Sequence, residues 1–448
     1  MFIRRRLQAA LETWYYSENR KPLVVRGARQ TGKTTAVEAF GRTLAGYVYL
    51  NLERSEDRAL FERDLPFGDL LKAIALEKDV DLDGPQRLLF IDEVQASPAA
   101  IASLRHFAEY AAAPPVVAAG SLLEVYLSRY EVSFPVGRVT FLYCYPLSFS
   151  EFLSGYGSQQ LTDAYEQTPV PEYAHPKLFD AFHEYALTGG MPEIASAYLD
   201  HRDVRRLSPL YDALVQSFED DAGKYSRSPA GYQVLRHVIE TAPLEAGTRV
   251  KFQGFGTSSY RSREVGEALR TLERAMLVHL HYPVTTMEPP FEPNLKRSPK
   301  LHVLDTGLVN YAVGLASEYI GLDDLSGVYR GRIAEHVVAQ ELQAADIERS
   351  ATVRFWTAER ATSAAEVDFV IPIGTHLVPV EVKSGKAGRL RSLHVFMEKA
   401  DHDLAIRLYR GPIRTDTVET AGGTRFRLLN LPYFLAARLA AYIARAGL

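Results

Sequence analysis

Gly27-Ala-Arg-Gln-Thr-Gly32-Lys33-Thr34 is the stretch that decides the fold of this chain. It fits the phosphate-binding pattern GxxxxGK(S/T). The apolar run of Leu23, Val24 and Val25 before it predicts a strand, and residues 35–44 after it suit a helix. A loop between a strand and a helix aims backbone N–H groups and the positive end of the helix dipole at one point. The stretch therefore predicts a nucleotide-binding loop in an α/β domain.

The residue types in this loop are those that a bound ATP with Mg²⁺ requires. Two glycines allow the backbone to turn tightly, the lysine reaches the β- and γ-phosphates, and the threonine hydroxyl is offered to Mg²⁺. ATP and Mg²⁺ are therefore the expected cofactors. The candidate nucleotide-binding residues of the loop are Gly27, Gln30, Thr31, Gly32, Lys33, Thr34 and Thr35.

A second motif, which ends in two acidic residues, follows about sixty residues later, at Arg87-Leu-Leu-Phe-Ile91-Asp92-Glu93. Four apolar residues indicate a buried parallel strand, and the acids lie at its carboxyl end. We expect Asp92 to hold Mg²⁺, directly or through water, and Glu93 to accept a proton from the attacking water or to orient it. The alternative is a strand that ends in two solvated acids.

Two further strands carry candidate residues at their ends. Ser121 follows the predicted strand 116–119 and would face the γ-phosphate, although serine also suits a helix N-cap. Arg138 precedes the predicted strand 139–143 and would supply an arginine to the transition state, in cis or from a neighbouring subunit. The alternative for Arg138 is an ordinary surface arginine.

Composition is that of a soluble globular protein of two or three domains, with 448 residues, 47% hydrophobic and 24% charged. The net charge of −4 means that any contact with nucleic acid must come from local patches. The single cysteine, Cys144, excludes an intrachain disulfide and suits a reducing interior. We find no signal-peptide pattern and no apolar run of about 18 residues, so we expect a cytoplasmic protein without a membrane partner.

The middle of the chain has a helical period from about 150 to 230, and residues 231–285 suggest a winged helix–turn–helix. Its expected parts are helices at 232–241 and 262–274 and a wing strand at 276–280. Such a module would place Arg261, Arg263 and Arg270 against DNA phosphate. The alternative is a packing unit whose arginines are solvated.

A group of charged residues forms a second candidate site in the C-terminal third. Glu335 lies at the edge of an apolar helical stripe, and turn residues between Asp368 and Glu381 predict a hairpin that brings these two acids together. Strand alternation puts Glu381 and Lys383 on one face. Three carboxylates suit Mg²⁺, and a lysine beside the attacked phosphate suits phosphodiester hydrolysis. The alternative is an exposed strand face of ion pairs.

Two resemblances follow from these motifs. Glu335, Asp368, Glu381 and Lys383, in this order, resemble the PD-(D/E)XK nuclease superfamily, although Val367 stands where the superfamily's name has a proline. Almost end to end, the chain resembles a family of prokaryotic AAA-type ATP-binding proteins whose C-terminal half is a domain of unknown function related to restriction-endonuclease folds. The motifs that carry it are GARQTGKT, YLNLE, LLFIDEVQ, AAGSLLEV, FPVGRV, YPLSFSEFL, TGGMPE, LDTGL, GRIAEHVVAQEL, EVDFVI and VEVKSG.

The resemblance implies an α/β chain with an ASCE P-loop NTPase core, a parallel sheet with flanking helices, at 1–150. A helical lid at 151–230, a winged helix and linker at 231–298 and a restriction-endonuclease-like α/β domain at 299–448 would follow. It also implies Ser121 as a sensor and Arg138 as an arginine finger. A finger acting in trans would place the nucleotide sites at the subunit interfaces of a homo-oligomer.

Two interpretations of function remain at this stage. In the first, an ATPase is coupled to a Mg²⁺-dependent nuclease-like domain that acts on DNA, with Lys383 as its catalytic lysine and Glu335, Asp368 and Glu381 as its metal ligands. In the second, the ATPase is a molecular switch whose inactive nuclease-like domain recognises nucleic acid or a protein partner. The second interpretation predicts a salt bridge between Lys383 and a carboxylate.

Overall fold

The computed structural model describes residues 3–82, 84, 86–110, 112–121, 123–130, 137–226, 228–314, 332–350, 353–358, 365–383 and 390–448. Two sheets flanked by helices lie in the N-terminal and C-terminal parts of the chain, and a helical region connects them. No helix among these residues is long and apolar enough to span a membrane.

The N-terminal sheet has five parallel strands in the order β2-β3-β4-β1-β5. The strands predicted above account for four of the five, β2 being the exception. The strands are β1 (Leu23–Arg26), β2 (Gly46–Asn51), β3 (Arg87–Asp92), β4 (Val116–Gly120) and β5 (Thr140–Tyr143). The helices of this part are α1 (Arg6–Tyr15), α2 (Lys33–Gly41), α3 (Ser55–Phe61), α4 (Phe67–Lys78), α5 (Pro98–Glu109) and α6 (Leu123–Tyr130).

Both faces of this sheet are buried, which explains why its strands are continuous apolar runs. In β3, Leu89 and Ile91 pack into one hydrophobic cluster, and Leu88 and Phe90 pack into another on the opposite face. Because the strands are parallel, their carboxyl ends all lie at one edge of the sheet. The loop at residues 27–34, called the phosphate loop below, follows β1 at that edge.

The connecting region is helical up to residue 274. Its helices are α7 (Phe149–Ser154), α8 (Gln159–Glu166), α9 (His175–Thr188), α10 (Pro192–His201), α11 (Ser208–Tyr225), α12 (Pro229–Glu245) and α13 (Ser262–Arg274). They are followed by β6 (Val278–His281), β7 (Pro283–Val284), β8 (Lys300–Val303) and α14 (Thr306–Ala312). β6 and β8 pair antiparallel, so residues 300–303 lie with the module before them rather than with the C-terminal sheet. This pairing favours a domain boundary later than residue 299.

The C-terminal sheet is mixed, in the order β11-β12-β13-β15-β14, and its three central strands are parallel. The hairpin predicted between Asp368 and Glu381 is the antiparallel pair β11–β12. This part contains α15 (Arg332–Ala344), β9 (Phe355–Thr357), β10 (Glu366–Val367), β11 (Phe369–Ile373), β12 (His376–Lys383), α16 (Arg391–Met397), β13 (Leu404–Tyr409), β14 (Arg414–Glu419), β15 (Arg425–Pro432) and α17 (Leu439–Arg445).

The three parts of the chain are packed together by shared contacts. The backbone N–H of Tyr143, at the end of the sheet-edge strand β5, donates to the carbonyl oxygen of Ile347 at 2.7 Å. In the core, Phe179 of α9 packs edge-to-face on Tyr433 and Phe434, which follow the last parallel strand. The C-terminal sheet is therefore packed against the helical region, and β5 is hydrogen-bonded to the segment after α15.

Candidate functional site

The phosphate loop needs glycine at two positions for different reasons. A Cβ atom at Gly27 would lie 2.4 Å from the carbonyl oxygen of Cys144, so only glycine allows β1 to approach the end of β5 this closely. Gly32 has a φ of 90°, in the left-handed region that favours glycine. Gln30 also has a positive φ, of 61°. The loop therefore has the tight curvature that directs successive backbone N–H groups inward.

Lys33 is buried, and its ammonium lies inside the loop. Nζ donates to the carbonyl oxygens of Gly27 at 3.0 Å and Ala28 at 2.8 Å. Burial lowers the pKa of Lys33, and the carboxylates of Glu93 and Asp92 oppose this shift. The cation is thus held at the centre of the loop, where phosphate oxygens would bind.

Thr34 and Asp92 are brought together, as the Mg²⁺ expectation requires. Thr34 Oγ1 donates to Oδ2 of Asp92 at 2.8 Å, and the hydroxyl of Tyr49 donates to the same oxygen at 3.2 Å. Burial raises the pKa of Asp92, and the hydrogen bond from Thr34 opposes this. A hydroxyl and a carboxylate are hard oxygen ligands that fit Mg²⁺.

Glu93 follows Asp92 in a strained conformation, with a φ of 50°. Positive φ in a residue other than glycine is often found at functional sites. The amide Nε2 of Gln95 donates to Oε2 of Glu93 at 2.5 Å and holds the carboxylate in place. The sequence pattern did not identify Gln95, because its role depends on the turn after β3.

Ser121 lies at the same edge of the sheet. It follows β4, which pairs with both β1 and β3, and its side chain is buried. Ser121 therefore lies at the carboxyl edge of the sheet, between the strands that carry the loop and Asp92.

Arg138 does not lie at this edge, and an arginine finger acting in cis is wrong. Leu23 pairs with Thr140 and Arg26 with Tyr143, so residues before Thr140 lie at the amino edge of the sheet, opposite the phosphate loop. The guanidinium of Arg138 instead pairs with Glu109 at 3.3 Å and is about half exposed. A role in trans is the part of the prediction that this placement leaves open.

Arg5 supports the loop from outside, and sequence reasoning did not single it out. It is buried; its Nη1 donates to the carbonyl oxygen of Thr31 at 2.6 Å and its Nη2 to that of Tyr145 at 2.7 Å. Its Nε pairs with Oε1 of Glu151 at 3.1 Å. One cation therefore ties together the N-terminal segment, the phosphate loop and α7. Nothing in the run Arg4, Arg5 and Arg6 distinguishes the buried member.

The TGGMPE motif packs against the loop from the helical region. A Cβ atom at Gly32 would lie 3.5 Å from Cγ of Pro192, at the start of α10. Two residues earlier, the N–H of Gly190 donates to Oδ2 of Asp305 at 2.6 Å. The same Asp305 oxygen accepts from Nε2 of Gln340 at 3.1 Å. Backbone beside the phosphate loop is therefore hydrogen-bonded, through Asp305, to helix α15.

Helix α15 adds a second buried acid to this network. Oε1 of Glu341 accepts from the N–H of Phe149 and from the hydroxyl of Tyr185, both at 2.8 Å. Burial raises the pKa of Glu341 to about 7 and that of Asp305 to about 6. The motifs TGGMPE, LDTGL and GRIAEHVVAQEL thus contribute to one interior polar network.

The four residues of the second candidate site also converge. Nζ of Lys383 lies 2.6 Å from Oε1 of Glu381, and the N–H of Val382 donates to Oδ2 of Asp368 at 2.8 Å. Burial raises the pKa of Glu335 and of Glu381, and the charge of Asp368 raises both further. Oε2 of Glu381 is buried and has no hydrogen-bond partner among the described residues.

Lys300 is a member of this cluster that the sequence analysis did not single out. It is buried, and its Nζ lies 2.9 Å from Oε1 of Glu366 and 3.5 Å from Oε2 of Glu335. Two ammonium groups therefore lie among the carboxylates. Within the described ranges, no group of three or more His, Cys, Asp or Glu side chains is arranged to hold a metal ion. Three basic residues that follow Lys383 in the sequence would suit contact with a nucleic-acid backbone. Of these, Lys386 and Arg389 lie outside the described residues, and Arg391 begins α16.

Comparison with known families agrees with the geometry of the N-terminal part. Residues 19–153 match the family model of an AAA domain. This part of the chain is similar to AAA domains. Residues 179–319 match the model of a domain of unknown function (DUF8612), and residues 330–433 match that of another (DUF4143). Neither description names a nuclease. No curated protein matches the chain.

Three solved structures align with much of this chain, all at low identity and with TM-scores below 0.5. A Walker-type ATPase of Pyrococcus abyssi is 12% identical with a TM-score of 0.43, over 70% of this chain and 96% of that one. The Orc1 protein of Aeropyrum pernix, solved in complex with DNA, is 15% identical with a TM-score of 0.28, over 70% and 91%. A STAND signal-transduction ATPase of Pyrococcus horikoshii with a tetratricopeptide repeat sensor is 12% identical with a TM-score of 0.28, over 77% and 47%. Similarity at this level says nothing about the substrate of this chain.

Proposed function

We propose that the chain binds and hydrolyses ATP with Mg²⁺ at the phosphate loop. The observation that carries this proposal is the 2.8 Å contact between the hydroxyl of Thr34 and the carboxylate of Asp92. It brings a hydroxyl of the loop beside a carboxylate at the end of β3, and these two residues would hold the metal. Bound Mg²⁺ would neutralise charge on the phosphate oxygens during transfer.

The remaining residues at this edge have separate tasks in the proposed reaction. Lys33 and the N–H groups of the loop bind the β- and γ-phosphates. Glu93 orients the attacking water and accepts its proton, while Gln95 keeps the Glu93 carboxylate in place. Ser121 faces the γ-phosphate from the end of β4, the strand that lies between β1 and β3.

Two substitutions test the ATPase proposal. Lys33→Ala should abolish both ATP binding and ATP hydrolysis, whereas Glu93→Gln should retain binding and lose at least about 100-fold in turnover. Lys177→Ala, which changes an exposed lysine of α9, is the matched control and should behave as wild type. ATP turnover that survives in Lys33→Ala would overturn the proposal.

For the C-terminal part, we propose a nuclease-like domain that cleaves DNA phosphodiesters with Mg²⁺. Three observations support it: the β11–β12 hairpin, the convergence of Glu335, Asp368, Glu381 and Lys383, and the buried Oε2 of Glu381 that lacks a partner in the described chain. The described carboxylates are not arranged as a metal site while Lys383 and Lys300 pair with them, so Mg²⁺ would have to displace these ion pairs. Carboxylate oxygens from the hairpin and from α15 would then hold the metal, and Lys383 would stabilise the attacked phosphate or its water.

The second candidate function is a switch whose C-terminal domain recognises nucleic acid or protein without cutting. The ion pairs that Lys383 and Lys300 make with Glu381 and Glu366 favour it, because the ammonium groups neutralise the cluster without a metal. In this case ATP turnover would drive a change of shape rather than cleavage.

Incubation of supercoiled and linear DNA with Mg²⁺, with and without ATP, separates the two candidates. ATP-stimulated cleavage that is lost in Lys383→Ala and in Lys33→Ala supports the coupled nuclease. Lys399→Ala, at an exposed lysine of the same domain, is the control. Intact DNA together with ATP turnover that is lost only in Lys33→Ala supports the switch.

Two further parts of the proposal concern partners. We assign 1–150 to the ATPase core, 151–230 to its lid and the following module to a winged helix, whose exposed Arg261, Arg263 and Arg270 would meet DNA phosphate. Replacement of all three by alanine should weaken DNA binding.

We also propose that Arg138 acts in trans in a homo-oligomer. Mixing inactive Arg138→Ala with inactive Lys33→Ala should then restore part of the ATP turnover.

A further inference from the structure

Arg29 belongs to the phosphate loop and lies at the carboxyl edge of the N-terminal sheet. Nη1 of Arg29 lies 2.9 Å from both carboxylate oxygens of Asp221, near the C-terminus of α11. The Asp221 side chain is only 2% exposed, whereas that of Arg29 is 40% exposed. Nζ of Lys224, one turn further along α11, lies 2.9 Å from Oδ1 of the same aspartate.

The surroundings of Arg29 place its charge close to the proposed reaction centre. The carboxylates of Glu93 and Glu53 attract the guanidinium, and Arg29 in turn repels the buried ammonium of Lys33. Arg138, in contrast, lies at the opposite edge of the sheet. Arg29 therefore supplies a cation at the loop from this chain, in addition to the one that Arg138 would supply in trans.

We propose that Arg29 binds the γ-phosphate of ATP within its own chain and that Asp221 holds it when no γ-phosphate is present. This inference rests on the proposed ATPase function. A guanidinium presents a planar fork of donors that suits a carboxylate and a phosphate equally well. Asp221 and the terminal phosphate therefore compete for the same group, and Arg29 is a catalytic residue when it stabilises charge on the transferred phosphate.

Lys224 makes this exchange of partners feasible. A buried carboxylate that loses its cation is strongly destabilising. When Arg29 turns to the phosphate, Asp221 keeps Lys224 at 2.9 Å and is not left without a counter-charge. Since Asp221 belongs to α11 and Arg29 to the loop, the exchange also releases α11 from the loop. The helical region is thereby made sensitive to ATP but not to ADP.

Affinities for ATP and ADP, measured on the full-length protein with Mg²⁺, test the exchange. Arg29→Met should lower the affinity for ATP about 10- to 100-fold, as expected for a charge-assisted contact, and change that for ADP less than about twofold. Asp221→Asn should raise the affinity for ATP and have no such effect when it is combined with Arg29→Met. Arg205→Met, which removes an exposed arginine paired with Asp203 at 2.9 Å, is the matched control.

Two outcomes would overturn the inference. One is an equal loss of ATP and ADP affinity in Arg29→Met, and the other is an Asp221→Asn effect that persists without Arg29. If Arg29→Met fails to fold, Arg29→Lys should keep the charge, lose the fork and still weaken ATP more than ADP. Failure of the ATPase proposal is distinguishable, because wild type itself would then not bind ATP, or Lys33→Ala would bind it normally.

Discussion

Lys300 Nζ lies 2.9 Å from Oε1 of Glu366, although Lys300 lies in a two-stranded sheet of β6 and β8 and Glu366 in a small three-stranded sheet of β10, β9 and β7. Lys300 belongs to the β6–β8 pair, and Glu366 begins β10 beside the carboxylate cluster. A buried lysine from the middle of the chain thus neutralises acids of the C-terminal part. The cluster is assembled by two parts of the chain rather than by the C-terminal part alone.

Lys300→Met should therefore destabilise the protein and make it responsive to divalent ions. Loss of one partner of a buried ion pair costs about 3–5 kcal/mol. We expect a lower melting temperature in EDTA and a larger rise on addition of Mg²⁺ or Mn²⁺ than in wild type, because the ion replaces the missing charge. Lys251→Met, at an exposed lysine, is the control. An unchanged melting temperature in EDTA would contradict the role of Lys300.

Glu341 should give the stability a measurable dependence on pH. Its pKa is raised to about 7 in the folded protein, above the value of about 4.3 in an unfolded chain. The folded state therefore binds the proton more tightly, and stability is lost as the pH rises through this window. Glu341→Gln removes the effect, so its free energy of unfolding should rise relative to wild type by about 3 kcal/mol between pH 4.5 and 7.5.

Urea unfolding at several pH values measures this difference. Comparison of the two proteins at each pH isolates Glu341 from the other titrating groups. Glu18→Gln changes an exposed carboxyl and should keep a constant difference from wild type. A constant difference for Glu341→Gln would show that the buried carboxyl titrates normally.

Arg5→Ala should weaken nucleotide binding, although Arg5 lies on the outer side of the phosphate loop and acts only through the loop backbone. Arg5 is a positioning residue, since it holds the carbonyl oxygen of Thr31 on the outer side of the loop. Its removal also leaves Glu151 buried without its cation, at a cost of about 3–5 kcal/mol. We expect ATP and ADP affinities to fall together, in contrast to Arg29→Met.

The neighbouring exposed Arg4 supplies the control, as Arg4→Ala. Binding should be measured at a temperature where circular dichroism shows Arg5→Ala to be folded. Wild-type affinity in that folded variant would mean that the loop keeps its shape without Arg5.

Gln95→Leu should lower turnover while leaving ATP binding intact. The amide of Gln95 donates to Glu93 at 2.5 Å and fixes the carboxylate that orients the water. Removal of such a supporting partner typically costs 10- to 100-fold in activity. Steady-state kinetics should show a fall in kcat with little change in KM, and Gln167→Leu, on the surface, should show neither. A raised KM with unchanged kcat would contradict this assignment.

The N-terminal fold was largely readable from the sequence because its signals are local. The loop Gly27–Thr34 and the apolar run before Asp92 carry both the strand positions and the residue types of the site. The error with Arg138 came from strand direction, since a residue that precedes a parallel strand lies at the edge away from the phosphate loop.

Residues whose roles depend on distant partners were not predictable in this way. Arg5 meets Glu151 from 146 positions away, and Arg29 meets Asp221 from 192 positions away. Lys300 follows a proline-rich stretch that suggests a solvated linker, yet it is buried. A single sequence gives the charge of such residues but not the burial of that charge.

The hydrogen bond from Tyr143 to Ile347 has a practical consequence for work with parts of this protein. β5 is an outer strand of the N-terminal sheet, and unprotected outer strands invite pairing with other chains. A fragment that ends near residue 150 would lose Ile347 together with Glu341, which accepts the hydrogen bond from the N–H of Phe149. Such a fragment should precipitate or form mixed aggregates on expression, so truncation should not be used to assign activities to the separate parts.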